Sequence, residues 1–266
     1  MKLEGEGRFS TEDSLGHYLQ LPDTSDKNSL IIKDILSHQS GLASWIPFYY
    51  KTLEPLDTSE ALVSTKFSWE YPYKIGVKAY ANRNIVYPDS VYRDDYSPGF
   101  PYQVAKNLYL RQDYRDTIYN SILSSELGEK KYRYSDLGYY FFHNIIEEIT
   151  DTLLYPYVFH NFYSRLGAWR MGYLPLNRFK EEEIVPTEND VIFRRQLLRG
   201  YVHDPGAAMY GGIAGHAGVF SNANDLAKLM QMYLNGGTYG GREFLKKEIV
   251  EKYTTRVYSE NGNRRA

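Results

Sequence analysis

Residues 134–150 read Tyr-Ser-Asp-Leu-Gly-Tyr-Tyr-Phe-Phe-His-Asn-Ile-Ile-Glu-Glu-Ile-Thr. Apolar side chains recur along this stretch at helical spacing: Leu137, Phe141, Ile145 and Ile149. Such a pattern predicts an amphipathic helix with one buried face. Ser135 or Asp136 can accept a hydrogen bond from the first free N–H groups, so these residues mark where the helix begins. Taken alone, this is an ordinary helix start and indicates no chemistry.

Two further patterns predict helices on either side of this stretch. One covers Ser29–His38, where Ser29 stands as a cap, one face is apolar and Gly41 lies just beyond the end. The other begins after a cap at Ser221 or Asn222 and ends at a pair of glycines. All three helices are predicted from local signals alone.

The rest of the chain is less regular. Residues 44–131 are rich in tyrosine and in proline, which breaks regular structure, so we interpret them as an elaboration on a core or as a lid. Within them we predict helical segments near Val104–Leu110 and Tyr114–Leu127. Strand-like pieces are predicted at 191–193 and 201–203, ahead of a stretch with five glycines where the backbone must turn tightly.

The composition excludes several function classes. With 31 Lys+Arg against 33 Asp+Glu the net charge is -2, and no block of one sign suggests a nucleic-acid partner. No apolar run reaches about 18 residues, and Met1 is followed by charged residues, so the sequence predicts neither a membrane span nor a signal peptide. The absence of cysteine removes disulfides and thiolate chemistry. The 27 tyrosines are spread along the chain, which favours packing over one binding cluster.

The usual nucleophile motifs are missing from the 266 residues. The serine elbow Gly-x-Ser-x-Gly is absent, and the nearest string, residues 38–41, has the wrong spacing. Ser-x-x-Lys, in which a lysine one helical turn later can take the serine proton, does not occur either. Thr24 precedes Lys27 at that spacing, but it would put a threonine nucleophile in a polar loop. We reject that alternative.

The histidines do not form a metal-binding pattern. Metal sites usually carry close pairs such as His-x-x-x-His with a carboxylate nearby, and no such pair occurs. His203 with Asp204, and His216 thirteen residues after His203 around a glycine-rich turn, leave open a metal hydrolase. We favour the interpretation that both histidines bond to backbone in a tight turn, and we predict no metal and no cofactor.

Three stretches, taken in order, resemble the serine β-lactamase family, which includes class C β-lactamases, penicillin-binding proteins and related esterases. They are residues 35–42 (Ile-Leu-Ser-His-Gln-Ser-Gly-Leu), 134–140 (Tyr-Ser-Asp-Leu-Gly-Tyr-Tyr) and 215–227 (Gly-His-Ala-Gly-Val-Phe-Ser-Asn-Ala-Asn-Asp-Leu-Ala). The likeness covers nearly the whole chain. Residues 186–218 resemble a narrower branch, found alone or fused behind a β-N-acetylglucosaminidase domain of glycoside hydrolase family 3.

The resemblance implies which residues surround the reaction. Family members form an acyl-enzyme on the serine of Ser-x-x-Lys, helped by a Tyr-x-Asn or Ser-x-Asn motif and a Lys-Thr-Gly-like strand. Tyr134 would correspond to the tyrosine that shares the serine's proton, and Asp136 stands where asparagine is common. An ionised carboxylate accepts hydrogen bonds but cannot donate them. Ser135, Trp45 and His216 are further candidates for the substrate cleft.

The same resemblance implies an α/β (α+β) fold of the β-lactamase/transpeptidase type, with an antiparallel sheet beside a mostly helical lobe. We expect residues 1–266 to hold chiefly the helical lobe of one partial domain, with residues 44–131 as an elaboration within it. The nucleophile would lie about three helical turns before Met1. Residues 262–266 resemble the approach to the C-terminal strands. Apolar surface left uncovered would favour self-association or dependence on a partner.

We therefore expect a β-lactamase-like serine hydrolase that acts on amide or ester bonds of peptidoglycan-derived or other small substrates. The chain itself is not expected to turn over, since it lacks Ser-x-x-Lys. Family precedent implies a periplasmic or other extracytoplasmic location. The alternative is a non-catalytic module that binds a glycan or peptide through residues 44–131 and the glycine-rich turn at 206–218. That alternative predicts saturable binding without covalent labelling.

Overall fold

The computed structural model describes residues 1–259, which form short helices and small antiparallel sheets. The α-helices are α1 Lys2–Gly5, α2 Leu15–Tyr18, α3 Ile32–Leu36, α4 Tyr114–Leu123, α5 Leu137–Thr150, α6 Leu154–Val158, α7 Pro205–Met209, α8 Ala223–Leu234 and α9 Lys247–Thr254. The strands are β1 Glu54–Pro55, β2 Val63–Ser64, β3 Tyr73–Gly76, β4 Ala79–Ala81, β5 Ile85–Val86, β6 Tyr92–Arg93, β7 Tyr102–Ala105, β8 Leu108–Leu110, β9 Pro186–Asp190, β10 Gln196–Arg199, β11 Thr238–Tyr239 and β12 Arg242–Glu243.

The chain divides into two compact units. Unit 1 consists of Met1–Ile46, Tyr119–Tyr173 and Ala214–Ala266, and unit 2 consists of Pro47–Ile118 and Leu174–Ile213. Unit 1 is mostly helical. Unit 2 holds β1 to β10, and the short strands β1 to β8 all lie within the predicted Tyr/Pro-rich elaboration at 44–131.

The core of unit 1 is organised by α5, which confirms the helix predicted at Leu137. Phe141 and Ile145 are almost fully buried on its inner face. Gly138 allows α5 to approach α3 closely, because a Cβ at this position would lie 2.2 Å from the Cγ2 of Ile35. The glycine is therefore required by packing rather than by helix propensity, which it lowers.

The predicted helix after Ser221 or Asn222 is confirmed as α8, and Asn222 is its cap. The Asn222 Oδ1 accepts a hydrogen bond from the N–H of Asp225 at 2.8 Å. The helix ends before Gly236, whose φ of 63° lies in the left-handed region that suits glycine. Met232 is fully buried and joins a cluster with Phe244 and other apolar side chains of the same unit.

The helix predicted over Ser29–His38 is shorter than expected, and the predicted Ser29 cap was wrong. Ser29 ends a 3-10 turn, and the helical residues of α3 begin at Ile32 without a side-chain cap. The reason is tertiary: Ile31 pairs with Ser14 in an antiparallel bridge, which keeps that residue extended. Pairing between segments outweighs the local start signal.

The helix predicted near Val104–Leu110 was also wrong, because this segment is a β-hairpin. Strands β7 and β8 pair antiparallel, and β8 pairs on its other side with β6. Asn107 turns the chain with a φ of 54°, a conformation that asparagine tolerates better than most residues. Short apolar runs suit either structure, and the partner strand decides. The helix predicted at Tyr114 is confirmed as α4.

The strand-like pieces predicted at 191–193 and 201–203 were misplaced. The observed strands are β9 and β10, and residues 191–193 form the turn between them. The Asp190 carboxylate organises this turn by accepting hydrogen bonds from the N–H groups of Ile192 (2.9 Å) and Phe193 (2.8 Å). The buried Arg194 guanidinium donates to Asp190 at 2.7 Å and to the Val202 carbonyl at 2.6 Å. Burial by itself would raise the pKa of the Asp190 carboxyl. The hydrogen bond and the charge of Arg194 act in the opposite direction, and the net result is a lowered pKa.

The observed mixture of helices and antiparallel strands confirms the predicted α/β (α+β) class. The expected partial-domain boundaries and the expected self-association stay predictions. The predicted approach to the C-terminal strands at 262–266 lies outside the described residues. Within residues 1–259, no helix combines the length and the apolar character needed to span a membrane.

The contact between Gly138 and Ile35 can be tested by crowding it. Gly138→Ala should lower the free energy of unfolding by about 1–3 kcal/mol, because the overpacking penalty exceeds the gain in helix propensity. The measurement is urea unfolding followed by circular dichroism. Gly99→Ala is the control, since a Cβ at Gly99 meets nothing within 4 Å.

A double variant isolates this pair. Gly138→Ala combined with Ile35→Ala should lose less stability than the sum of the two single changes, because the shorter side chain makes room for the new methyl group. Strict additivity would show that the close approach of α3 and α5 does not govern the packing.

Candidate functional site

The candidate site lies where the chain enters α5, and Ser135 fixes its position. The Ser135 hydroxyl donates a 2.6 Å hydrogen bond to the Ala43 carbonyl and accepts one of 3.2 Å from the N–H of Leu137. The residue is buried, with 5% of its surface exposed. Of the two predicted caps, Ser135 is therefore the one whose side chain accepts a hydrogen bond from a backbone N–H at the helix start. The Asp136 side chain makes no such capping bond. The hydroxyl ties the helix start to residues 38–44, here named the anchor segment.

His38 begins the anchor segment and contacts Ser135 and its neighbour Tyr134. Its Nδ1 accepts a hydrogen bond from the N–H of Ser135 at 3.3 Å, and its ring lies 4.7 Å from the ring of Tyr134. The backbone at His38 has a φ of 60°, so its imidazole is aimed by a left-handed turn. Burial lowers the pKa of His38, against the opposing charge of Asp136, so the ring is neutral at neutral pH.

Tyr134 and Asp136 emerge from this anchored backbone in different environments. The Tyr134 side chain is 57% exposed although its neighbour Ser135 is buried. Asp136 is half-buried, and its N–H donates to the Ser44 carbonyl at 3.3 Å. That bond holds Ser44 at the start of α5. Trp45, the next residue along the chain, is 47% exposed. The anchor segment thus gathers four of the five predicted site residues, since Ser135 belongs to the same group.

The fifth, His216, reaches the same helix from a distant part of the chain. Gly215 packs on the first turn of α5, since a Cβ there would lie 2.3 Å from the Tyr139 carbonyl oxygen. The ring of His216 lies 4.5 Å from that of Tyr140 at an angle of 34°. The glycine-rich stretch therefore lines α5, as predicted for a structural turn. Burial, followed by the charge of Asp136, raises the pKa of Tyr139.

The metal-hydrolase alternative finds no support in the arrangement of its residues. His203 pairs through Nδ1 with Glu188 at 3.1 Å, and Asp204 caps α7 by accepting from the N–H of Ala207 at 2.6 Å. Within residues 1–259, no group of three His, Asp or Glu side chains is placed to hold a metal ion. His203 and His216 belong to different units.

His38 is the residue that sequence reasoning missed as part of the site. It lies in one of the stretches that resemble the family, but its partner Ser135 is 97 residues away along the chain. No local pattern links the two. The sequence signal that could have pointed to His38 is Gly41, three positions later. A glycine at this position allows the anchor segment to approach Gly128 closely. A Cβ at Gly41 would lie 2.5 Å from the Gly128 carbonyl oxygen.

The Beta-lactamase family model matches residues 1–265. The chain therefore belongs to the β-lactamase family, and the predicted resemblance is confirmed. The roles of Tyr134, Asp136, Ser135, Trp45 and His216 stay predictions.

Individual relatives support the same family. A protein of Escherichia coli K12, provisionally named D-alanyl-D-alanine carboxypeptidase, is 36% identical over 174 residues, which are 59% of this chain and 40% of that protein. The chain thus matches less than half the length of this curated relative.

Solved structures show the fold. A D-stereospecific amidohydrolase from Streptomyces has a TM-score of 0.54 at 15% identity, covering 96% of this chain and 60% of its own. A penicillin-binding protein homologue from Pyrococcus abyssi has a TM-score of 0.52 at 18% identity, covering 96% and 45%.

The anchoring role of Ser135 predicts a loss of stability when its hydroxyl is removed. Ser135→Ala should lower the free energy of unfolding by about 1–3 kcal/mol, because the variant loses a cap and a largely buried hydrogen bond. Ser221→Ala is the matched control, since Ser221 is exposed and bonds only to the adjacent carbonyl of Asn222. Thermal or urea unfolding measures both. Equal effects would contradict the anchoring role.

The environment of His38 predicts a pH dependence with a defined sign. Because its pKa is lowered in the folded chain, the unfolded chain takes up this proton more readily. The contribution to stability is complete above the unfolded value of about 6.5 and is lost as the pH falls through the folded pKa. His38→Asn keeps a polar acceptor and tolerates a positive φ, but it does not titrate.

Urea unfolding at a series of pH values below 7 checks this expectation. The variant should lose less stability than the original chain over the range in which His38 gains its proton. Parallel curves for the two proteins would assign the acid sensitivity to other groups.

Proposed function

We propose that this chain forms the tyrosine-bearing part of a serine hydrolase that cleaves the amide bond before a terminal D-amino acid of peptidoglycan stem peptides. The observation that carries the proposal is the exposed Tyr134 side chain beside a buried, doubly bonded Ser135. Family membership supports the acyl-serine chemistry. The provisional name of the Escherichia coli relative supports the class of substrate.

Tyr134 is assigned the proton transfer. A phenol hydroxyl both donates and accepts hydrogen bonds, so it can take the proton of an attacking serine and pass it to the leaving amine. Ser135 and His38 act as positioning residues, because they hold the backbone and one ring face of Tyr134. Fixing the phenol before substrate arrives avoids part of the entropy cost of the reaction.

Asp136 is assigned a binding role that differs from that of asparagine. Its carboxylate accepts an N–H of the substrate peptide but cannot donate to a substrate carbonyl when ionised. Trp45 and His216 provide flat surfaces on the two segments that approach the start of α5. We infer a preference for substrates that present a donor, rather than an acceptor, at this position.

The 266 residues contain no Ser-x-x-Lys, so the acyl-enzyme would require a serine and lysine that lie outside them. What these residues contribute is recognition and proton transfer. Because peptidoglycan stem peptides are extracytoplasmic, we propose that the enzyme works outside the cytoplasm.

Two measurements on the purified chain test this proposal. Intact-mass spectrometry after incubation with a fluorescent penicillin should show no adduct, and titration with a peptide ending in D-alanyl-D-alanine should show saturable binding. Tyr134→Ala should weaken that binding about fivefold or more, as expected for loss of a contacting aromatic side chain. Trp169→Ala, another exposed aromatic residue of unit 1, is the control and should not change it.

Each contrary outcome has a distinct meaning. A penicillin adduct on this chain would show that it holds a nucleophilic serine after all. Binding that is absent, or that responds equally to both substitutions, would remove the assignment of Tyr134 to the substrate site.

A further inference from the structure

Unit 2 contains a cavity of about 420 Å³ that the proposed reaction does not use. Its lining comes from β7, β8, residues 174–177 and residues 200–212. The side chains that matter here are Tyr96, Tyr102, Gln103, Tyr109, Asn177 and Tyr201. All of them belong to unit 2. Cavities of this size accept small organic ligands.

The tyrosines of this cavity, here named the tyrosine pocket, are held by specific contacts. The rings of Tyr96 and Tyr109 meet edge to face, with centroids 6.5 Å apart. The ring of Tyr102 lies against Gly211, where a Cβ would come within 3.1 Å of it. The Gln103 amide donates a 3.1 Å hydrogen bond to the Tyr201 hydroxyl. The rings are therefore fixed in part before any ligand arrives.

Backbone forms part of the pocket wall. Gly200, Gly211 and Gly212 have φ values of 79°, 89° and 77°, which side chains rarely adopt. At Gly212 a Cβ would also lie 2.6 Å from Leu174. Glycines at these positions let the side chains of Leu176, Tyr102 and Leu174 pack directly on the backbone, and this packing shapes the wall of the pocket.

The lining is uncharged, and this restricts the ligand. None of the residues found to line the tyrosine pocket is Asp, Glu, Lys, Arg or His. Burial raises the pKa of Tyr201 to about 12, so its hydroxyl also stays neutral. A phosphate or carboxylate would lose its hydration here without gaining a counter-charge. The pocket suits a neutral ligand with apolar faces and many hydroxyl or amide groups.

We propose that the tyrosine pocket binds an uncharged N-acetylated sugar, the glycan part of the peptidoglycan fragment whose peptide we assign to Tyr134. Tyrosine rings pack against the C–H faces of sugar rings, and their hydroxyls bond to the sugar rim. The amides of Gln103 and Asn177 supply both donors and acceptors for hydroxyl and acetamido groups. The link to peptidoglycan rests on the proposed function, but the sugar assignment rests on the pocket.

Isothermal titration of the purified chain with tri-N-acetylchitotriose tests the proposal. Binding should be saturable, and Tyr96→Ala should weaken it about fivefold or more. Tyr96 is 65% exposed, so its truncation should preserve the fold, which circular dichroism checks. Asn177→Ala, also at an exposed position, is a second variant expected to weaken binding. The control is Phe67→Ala, an equally exposed aromatic residue of the same unit outside the pocket.

Maltotriose serves as the comparison ligand because it has the same number of sugar rings and no acetamido group. Equal affinity for the two sugars would overturn the N-acetyl assignment. Absence of saturable binding, or binding unchanged in both pocket variants, would overturn the site itself. Sugar binding without binding of the D-alanyl-D-alanine peptide would leave the tyrosine pocket standing and remove the proposed hydrolase function. Binding of the D-alanyl-D-alanine peptide without binding of the sugar would overturn only the proposal for the tyrosine pocket.

Discussion

The close packing of α5 on α3 and the anchor segment is the constraint on which unit 1 depends. Gly138 lets the Ile35 side chain of α3 pack against α5, and Ser135 ties the first turn to the Ala43 carbonyl. A glycine elsewhere in a helix would weaken it, but here the missing side chain makes the contact possible. The direction in which Tyr134 leaves the backbone follows from these two fixed points.

This arrangement combines a rigid support with an exposed reactive group. His38 is neutral because it is buried, and it contacts both the N–H of Ser135 and the ring of Tyr134. Chemistry that requires a phenol in one orientation benefits from such support, since little ordering remains to be done when substrate binds. Under the proposed assignment, the carboxylate of Asp136 would accept hydrogen bonds where an asparagine could also donate them.

Unit 2 is organised by another buried polar group. Arg194 satisfies Asp190 and the Val202 carbonyl together, and the β9–β10 turn is built on the same carboxylate. Removing Arg194 would leave the buried Asp190 carboxylate without its counter-charge, whereas removing Asp190 would leave Arg194 with the longer contact to Glu188 at 3.4 Å. The strands and glycine turns near this pair form the tyrosine pocket. The two proposals thus concern separate units, with the proposed proton transfer assigned to Tyr134 in unit 1 and the proposed sugar binding assigned to the tyrosine pocket in unit 2.

The sequence by itself determined α5 and α8, because a polar cap and apolar spacing lie within one short stretch, and the resemblance of three stretches identified the family and made Tyr134 and Asp136 candidates for the site. Only the tertiary structure decided that Ile31 is extended, that Val104–Leu110 is a hairpin and that His38 supports the site. The physical reason is shared by all three. Bridge pairing, strand pairing and a hydrogen bond each depend on a partner segment, and for His38 that partner is 97 residues away. Local spacing holds no information about such partners.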